Sequence, residues 1–335
     1  MSEPPFDTTW DGLHIAADRP QGSAVVVRHW APAGWEYLLL HRAAKGPDFA
    51  GDWAWTSPSG CRQPGEAVYP AALRELGEEA SLTGLVPWAV DLSARWAVFA
   101  ITVPPDAGVV LLDPEHDRFE WLAAAAALAR VAPAHVGQNQ IAALERIPEV
   151  TFDFRRMRRE DLPAYVAWQR APHAARWFHA ETLTLEEAER HCRPAIDGED
   201  PTRMWVVQAD GRAVGMVQDY CVGDHESYAT ATGDPQAIGF DYLLGDPGLT
   251  GRGLGTRMLW TYLTQVVLPA YPAAPRLLAS PDHRNGLSLR VLDKLGFTRG
   301  KLIEVSEDGR VDTELVCTID VQHWWGRPAG IAENL

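Results

Sequence analysis

A group of carboxylates stands in the segment GCRQPGEAVYPAALRELGEEASL, residues 60–82. Glu75, Glu78 and Glu79 are spaced i, i+3 and i+4, so on a helix all three side chains project from one face. Like charges this close repel one another unless a cation lies among them. Grouped carboxylate oxygens are the ligands that Mg²⁺ or Mn²⁺ prefers, and these ions also bridge phosphate oxygens. The spacing therefore predicts a metal-binding helix with these three ligands.

Other residues of the segment agree with this interpretation. Arg74 is placed to hold or orient a neighbouring carboxylate, and Gly60 and Gly65 let the preceding loop turn tightly. The short runs REL and EE taken alone are more typical of a solvated helix face. The prediction therefore depends on the full spacing of the segment.

A second segment, GLTGRGLGT at residues 248–256, is a glycine-rich loop between a predicted strand and a predicted helix. Successive backbone N–H groups in such a loop, together with the dipole of the following helix, favour an anion such as pyrophosphate. The same pattern alone is also a common turn.

The elements around these segments predict an α/β fold in each half. The runs SAVVVRHW, EYLLLHR, RWAVFAITV and RFEWL read as strands around the first helix, and LAAAAALARV reads as a helix. A strand leading into a helix begins at VTFDFRRMRREDLPAYVAWQRAP. After GRAVGMVQDY we expect an acidic loop, then the strand AIGFDYLL. A chain of 335 residues exceeds one usual core, so we expect two domains that meet near Pro148.

Composition narrows the classes of function. With 46% hydrophobic and 22% charged residues, the chain is typical of a globular protein, and its apolar runs are shorter than a membrane span. The start of the chain lacks a signal-peptide pattern, and the four cysteines lack metal or disulfide spacing, so we expect a cytoplasmic protein. A formal charge of −15 disfavours nucleic acid and suits a cationic ligand, although acidity also serves solubility.

The first segment resembles the Nudix box, Gly-x5-Glu-x7-Arg-Glu-U-x-Glu-Glu-x-Gly-U, in which U is aliphatic. The matching residues are Gly60, Glu66, Arg74, Glu75, Leu76, Glu78, Glu79 and Leu82. The departure is Ser81, where the family has Gly, and it concerns the helix C-terminal turn and not a ligand. The resemblance implies an α/β/α sandwich over residues 10–148 and Mg²⁺-dependent attack of water on a nucleoside-diphosphate-X-type substrate.

The segment LLDPEHDRFEWL looks like the one in which nucleotide and pterin triphosphate members of that family carry a Glu-His pair. Glu115 is the implied general base, Glu120 is the second choice, and Glu78 is a further catalytic candidate. A surface acid near a turn would have the same appearance in the sequence.

The glycine-rich loop is followed by NGLSLRVLDKLGF, and this half resembles the GNAT acetyltransferases. The resemblance implies a mixed-sheet α/β fold over residues 150–330, with the loop holding the pyrophosphate of acetyl-CoA. Backbone N–H groups of a splayed strand near Tyr242, Leu243 and Leu244 are expected to polarise the thioester carbonyl. The implied acetyl-CoA-binding residues are Leu243, Leu244, Gly251, Arg252, Gly253, Leu254, Gly255, Thr256 and Asn285.

Residues 152 to about 320 are most similar to the aminoglycoside 6′-N-acetyltransferases within that superfamily. Asp241 in GFDY matches the Asp that similar enzymes place beside the acceptor amine, where it accepts a proton or holds an ammonium. Leu292 stands where many GNAT enzymes carry a Tyr that protonates the CoA thiolate, so that proton must come from elsewhere or from solvent.

The acceptor site is expected in the acidic loop CVGDHESYATATGDP and nearby aromatic residues. The substrate-binding candidates are Trp177, Asp224, Glu226 and Tyr228, with Trp168 as a further aromatic face. His173, His179 and His283 lack ligand or triad spacing and are expected at the surface.

The sequence thus predicts a bifunctional enzyme that N-acetylates an aminoglycoside, as in antibiotic resistance, and hydrolyses a diphosphate with Mg²⁺ or Mn²⁺. The expected partners are a cationic amine and a diphosphate-containing small molecule, without nucleic acid or membrane. Two alternatives stay open. In the first, the acceptor is a siderophore precursor or another biosynthetic amine. In the second, the Nudix half is a binding or sensing module.

Overall fold

The structure is a computed structural model that describes residues 8–9, 12–43, 46–111, 113–307 and 310–326. The chain divides into two compact units. The first contains Met1–Ile147, Lys294–Gly296 and Gln322–Leu335, and the second contains Pro148–Asp293 and Phe297–Val321. Each half contains a mixed sheet with helices, so the predicted two-domain α/β class is confirmed. The predicted domain start at residue 10 lies outside the described residues.

The N-terminal half contains a sheet, a long first helix and short later helices. Its strands are β1 (Gly22–Ala31), β2 (Gly34–Arg42), β3 (Trp55–Thr56), β4 (Ser59–Cys61), β5 (Trp88–Asp91), β6 (Trp96–Thr102) and β7 (His116–Ala123). Its helices are α1 (Val68–Ala80), α2 (Ala124–Arg130) and α3 (Ala134–Gly137), and a π-helical turn spans Gln138–Ala142.

The sheet of this half has the order β3-β2-β1-β6-β5, with β4 also paired to β1 and β7 to β2. β1 and β6 are parallel, and the other pairs are antiparallel. β1 lies centrally and is buried along nearly its whole length. Helix α1 buries the apolar face formed by Val68, Ala71, Ala72, Leu76 and Ala80, and this fixes which way its remaining side chains point.

The C-terminal half contains a second sheet with helices between its strands. The strands are β8 (Phe152–Arg156), β9 (Arg203–Ala209), β10 (Arg212–Cys221), β11 (Ile238–Leu244), β12 (Arg276–Ala279), β13 (Thr298–Glu307) and β14 (Arg310–Asp320). The helices are α4 (Leu162–Gln169), α5 (Ala175–Phe178), α6 (Leu185–Asp197), α7 (Glu226–Thr232), α8 (Leu254–Tyr262), α9 (Leu268–Ala270) and α10 (Gly286–Lys294). A further helix, α11 (Val321–Trp325), follows β14, and all but its first residue belong to the first unit.

The second sheet has the order β13-β14-β12-β11-β10-β9-β8, and only β11 and β12 of these neighbouring described strands run parallel. β11 pairs with β12 at Ile238 and Gly239 and then diverges from it, while its pairing with β10 continues to Leu244. The last five residues of β11 therefore have an open edge on the β12 side.

One segment differs from the sequence prediction. The predicted acidic loop contains a short helix, α7, which begins at Glu226. Tyr228 and Ala229 pack against a buried cluster that includes Val222 and Ile303, so tertiary contacts stabilise a helix that the polar sequence did not suggest. Across the described ranges, every helix is too short or too polar to span a bilayer.

Candidate active sites

Helix α1 carries the three predicted metal ligands, but their environments differ. Glu75 and Glu79 are 8% and 3% exposed, whereas the Glu78 side chain is mostly exposed. Arg74 Nη1 donates to Glu75 Oε1 at 2.8 Å and to Glu78 Oε2 at 3.0 Å. Glu79 Oε2 accepts the backbone N–H of Ser59 at 2.8 Å. Glu79 therefore does not face solvent, because this part of α1 packs over β4.

Arg74 connects the helix to the preceding loop. Its guanidinium also donates to both carboxylate oxygens of Glu66, at 2.8 and 3.0 Å, and to the carbonyl oxygen of Cys61 at 3.1 Å. Two of the three predicted ligands are thus oriented by one arginine, in the manner that the sequence suggested.

Gly60 is needed because the Glu75 carboxylate packs directly on it. A Cβ at position 60 would lie 2.1 Å from Glu75 Oε1, a distance that no side chain could accept. The position therefore accepts only glycine while Glu75 keeps this orientation.

Burial and mutual repulsion raise the pKa values of these carboxyl groups. Burial raises the pKa of Glu75 to about 7, against the opposing effect of Arg74. Burial, Glu75 and Glu115 raise the pKa of Glu79 well above its usual value. Glu115 therefore lies near Glu79 of the helix. Arg42 Nε lies 3.1 Å from Glu115 Oε1. We call Glu75, Glu79 and Glu115 the carboxylate cluster.

Glu120 has different surroundings. Its Oε1 accepts a hydrogen bond from Arg130 Nη1 at 3.3 Å, and both side chains are partly exposed. Glu115 is accordingly the better placed of the two predicted bases, and its catalytic role stays a prediction.

His116, the histidine of the Glu-His pair, lies in the same region, although the sequence indicated no role for it. It is 5% exposed, and neither ring nitrogen has a hydrogen-bond partner. Its Nδ1 lies 3.8 Å from Glu79 Oε1. Burial and Arg42 lower the pKa of His116 to about 4, so the ring is neutral near pH 7. The resemblance of this segment to a Glu-His pair was the signal in the sequence.

The residues present suit a hard divalent cation in type and burial. In the described part of the chain, no three His, Cys, Asp or Glu side chains form a ready cation-binding group, and Arg74 and the Ser59 N–H hold one oxygen of each α1 carboxylate. The buried carboxylates and the unpartnered His116 nevertheless provide donor atoms that such an ion could bind.

In the C-terminal half, hydrogen bonding sets which groups face the open edge of β11. Gly245 N donates to Val214 O at 2.8 Å. Alternate residues of an antiparallel strand direct their amide groups to opposite sides, so Leu243 faces β10 whereas Tyr242 and Leu244 face away from it. Leu244 thus suits the predicted role of backbone donor. Leu243 does not suit that role, because its N–H points into the β10 ladder.

His173 also lies at this edge and is not the surface residue that we expected. Its Nε2 donates to the carbonyl oxygen of Leu244 at 2.8 Å, and its buried Nδ1 has no hydrogen-bond partner. Trp168 is likewise buried, with its indole against Gly245. Trp168 is therefore a packing residue and not an open face for a sugar ring. The chain spacing between residues 168, 173 and 244 gave no sign of these contacts.

The glycine-rich loop has a backbone conformation that only glycine adopts readily. Gly251 and Gly253 have φ values of 71° and 79°, and Gly253 precedes the first residue of α8. Leu254 and Thr256 are buried, which anchors the start of α8. Arg252 is exposed. A Cβ on Gly255 would lie 3.3 Å from Val291 Cγ2, so close packing limits the size of a side chain at position 255. Pyrophosphate binding here stays a prediction.

Asp241 is half-buried on β11 and lies close to a pair of tyrosines. Its Oδ2 accepts a hydrogen bond from Gln218 Nε2 at 2.9 Å, across the β10–β11 pair. Burial and then the charge of Asp241 raise the pKa of both Tyr220 and Tyr228. Tyr228 donates to Ser280 Oγ at 2.7 Å. The structure thus brings the predicted catalytic Asp241 and the predicted substrate residue Tyr228 together.

The other acceptor candidates lie in different surroundings. Asp224 and Glu226 are exposed, in the turn before α7 and at its first residue. Trp177 is half-buried on α5, and the Arg176 guanidinium lies 4.1 Å from its ring centroid. Contacts of these residues with an acceptor stay predictions.

The two remaining positions lie just before and within helix α10. Asn285 Oδ1 accepts the N–H of Ser288 at 3.2 Å, which caps the helix, and Ser288 Oγ is hydrogen-bonded to Tyr242 at 2.6 Å. Leu292 is fully buried, so its position provides no acid. Asn285 therefore has a structural role whatever its role toward acetyl-CoA.

Comparisons with known proteins confirm both family resemblances. Residues 20–143 match the family model of the NUDIX domain, and residues 158–305 match that of the acetyltransferase (GNAT) domain. An aminoglycoside N(6′)-acetyltransferase type 1 of Klebsiella pneumoniae is 24% identical over 148 residues, which cover 43% of this chain and 73% of that protein.

Two further similar proteins each match only part of this chain. An octanoyltransferase of Myxococcus xanthus is 34% identical over 143 residues, which cover 38% of this chain and 37% of that protein. Among solved structures, the aminoglycoside acetyltransferase AAC(6′)-Ib in complex with coenzyme A is 22% identical with a TM-score of 0.45, over 52% of this chain and 96% of that one.

Proposed function

Because this chain is an enzyme that joins a NUDIX domain to an acetyltransferase (GNAT) domain, we propose that it is bifunctional. The C-terminal domain transfers an acetyl group from acetyl-CoA to an amine of an aminoglycoside. The N-terminal domain hydrolyses a diphosphate linkage. The observation that carries the main activity is the half-buried Asp241 on the strand whose open edge exposes the Leu244 amide.

Acetyl transfer needs a donor to the thioester carbonyl and an acceptor for the amine proton. The N–H of Leu244 faces away from β10 and is the proposed donor to the carbonyl oxygen. The neutral amine attacks the carbonyl carbon, the C–S bond breaks, and Asp241 accepts the proton that the amine releases. The CoA thiolate then takes its proton from solvent, since Leu292 supplies none. The N–H groups around Gly253 bind the pyrophosphate.

Several observations support an aminoglycoside as acceptor. The acetyltransferase of Klebsiella pneumoniae named above acts on this class of antibiotic. The chain has a formal charge of −15, and the exposed Asp224 and Glu226 add negative charge to the region where Asp241 and Tyr228 meet. Ammonium groups are attracted by such a surface. The activity would be of the antibiotic-resistance type.

For the hydrolysis, Glu75, Glu78 and Glu79 are the residues that would hold Mg²⁺. When bound, the ion would neutralise phosphate oxygens and lower the pKa of the attacking water. Arg74 orients two of these carboxylates, and the Ser59 N–H fixes the third. Glu115, which Arg42 holds in place, accepts the proton of the water. The X group of the substrate stays open.

One observation favours a second candidate function for the N-terminal domain. Arg74 holds the oxygens of Glu75 and Glu78, so a module that binds a diphosphate without cleaving it would keep this arrangement. Such a module needs no rearrangement of the carboxylates, whereas hydrolysis requires them to turn toward the cation.

The test is a screen of the full chain with two readouts. CoA release is measured with a panel of aminoglycosides and with hydroxylamine-bearing siderophore precursors, and phosphate release is measured with nucleotides and Mg²⁺. We expect aminoglycosides to stimulate CoA release and at least one nucleotide to be cleaved. CoA release that responds only to hydroxylamines would contradict the acceptor class. Tight nucleotide binding without cleavage would identify a binding module.

A further inference from the structure

We infer that His116 is an additional ligand of the divalent cation in the NUDIX domain, through one of its ring nitrogens. The inference rests on the proposed metal-dependent function of that domain. It adds a nitrogen donor to a set in which sequence spacing indicated only oxygen donors, and it predicts which class of cation the site prefers.

The first observation is that His116 is buried with both ring nitrogens lacking a hydrogen-bond partner. A buried polar group without a partner costs free energy, so such groups are rare and call for a ligand. His41 on the neighbouring strand β2 shows the ordinary arrangement. It is fully buried, with Nδ1 2.7 Å from Asp117 Oδ1 and Nε2 2.8 Å from the carbonyl oxygen of Phe49.

The second observation is the position of the ring among the carboxylates. His116 follows Glu115 and begins β7, where it pairs with Arg42 of β2. Its Nδ1 lies 3.8 Å from Glu79 Oε1. Two ligand atoms bound to one cation at about 2.1 Å stand about 3 to 4 Å apart, so one ion can contact both atoms.

A nitrogen ligand changes the preference of the site among cations. Mg²⁺ prefers oxygen donors alone, whereas transition ions accept imidazole and bind more tightly along the series that begins with Mn²⁺. We therefore expect this site to prefer Mn²⁺ or a later divalent transition ion over Mg²⁺, and His116 to be the residue that sets this preference.

The experiment uses the full chain with one equivalent of Mn²⁺ and pulsed electron paramagnetic resonance, which detects a nitrogen bound to manganese. The wild-type chain should show the nitrogen coupling, and labelling of histidine with ¹⁵N should change its frequency. In His116→Gln the coupling should disappear, with a Kd for Mn²⁺ about tenfold higher, as is usual when a residue supporting a metal site is changed. The Kd for Mg²⁺ should stay within about twofold, since Mg²⁺ relies on oxygen donors.

The matched control is His135→Gln, an exposed histidine of the same half, which should leave both Kd values and the coupling unchanged. Mn²⁺ that binds in a Glu79-dependent way without histidine coupling would overturn the role of His116 and leave the metal site standing. Mn²⁺ binding that Glu79→Gln does not weaken would contradict the proposed metal site itself. If His116→Gln fails to fold, the isotope experiment on the wild-type chain still tests the proposal, because the absence of a histidine coupling would overturn it.

Discussion

The two candidate sites, both proposed for phosphate-bearing ligands, draw their contacts from different parts of the chain. In the N-terminal half the chemistry lies in side chains, namely the carboxylate cluster with the arginines that orient it. In the C-terminal half most of the expected contacts come from backbone N–H groups, at Leu244 and in the loop around Gly253. Only Asp241 contributes a charge to the proposed reaction there.

This difference predicts how each site responds to substitution. A side-chain site loses function when one charged group is replaced by an isosteric neutral one. A backbone site tolerates changes of side chain but not of backbone conformation. The following substitutions test this contrast, and they are ordered from the largest expected effect to the smallest.

The largest effect is expected for Glu79→Gln. The substitution removes a negative charge from the carboxylate cluster, and hydrolysis should fall by about 10³-fold, the upper range for loss of one electrostatic contact at a reacting centre. The fold should persist, because the amide oxygen of Gln can still accept the Ser59 N–H. Phosphate release and thermal unfolding would be measured on the same preparation. Glu120→Gln, a partly exposed carboxylate paired with Arg130, is the matched control and should keep full activity.

Asp241→Asn should reduce acetylation next most strongly. The amide keeps its size and its hydrogen bond with Gln218, but it cannot accept the amine proton, so kcat/KM should fall by roughly 10²-fold. Acetyl-CoA affinity, measured by calorimetry, should be unchanged because the expected contacts are backbone groups. Hydrolysis should also be unchanged. Near-normal acetylation would refute the catalytic role of Asp241, and a parallel loss of hydrolysis would show that the two activities are coupled.

A pair of substitutions in the glycine-rich loop separates backbone from side-chain binding. Gly253 has a φ of 79°, where a β-branched residue is strained, so Gly253→Val should raise the Kd of acetyl-CoA about tenfold. Arg252→Ala removes only an exposed side chain and should change that Kd by no more than about twofold. Calorimetry with acetyl-CoA compares the two. The opposite order would mean that the Arg252 charge holds the pyrophosphate and that the loop binds through side chains.

The smallest effect is expected for Ser81→Gly, which restores the residue of the Nudix box. Ser81 ends α1 with a φ of 58°, and its Oγ donates to the carbonyl oxygen of Val110 at 2.9 Å. Glycine relieves the strained backbone, but it loses this hydrogen bond and has more freedom in the unfolded chain. Because these effects oppose one another, the free energy of unfolding should change by less than about 1 kcal/mol. Denaturant unfolding measures it. Phosphate release should not change, and a gain in hydrolysis would show that the departure at Ser81 had impaired the site.

Local patterns predicted the parts of both sites that depend on neighbouring residues. The face shared by Glu75, Glu78 and Glu79 follows from the geometry of a single helix, and the structure has that helix. The glycine-rich loop before α8 follows from residue type in the same way. Both are short-range features, which explains why the spacing of residues was sufficient.

Contacts between distant segments could not be predicted in this way. The burial of Glu79 and the close packing of Glu75 on Gly60 depend on how α1 lies over β4. The contact of His173 with the carbonyl of Leu244 joins residues 71 positions apart. The short helix α7 was wrongly expected to be a loop, because its stability comes from packing and not from its own composition.

The sequence by itself determined the two families, the α/β class and the residue types available for chemistry, because motif spacing and helix periodicity are properties of the chain. Only the tertiary structure decided which of those residues are buried, which backbone amides face an open edge, and which polar atoms lack partners. Strand pairing made Leu244 rather than Leu243 the residue facing the open edge. Packing enclosed His116 beside Glu79 without a hydrogen bond. The physical reason is that burial and hydrogen-bond satisfaction depend on long-range contacts, which local spacing does not specify.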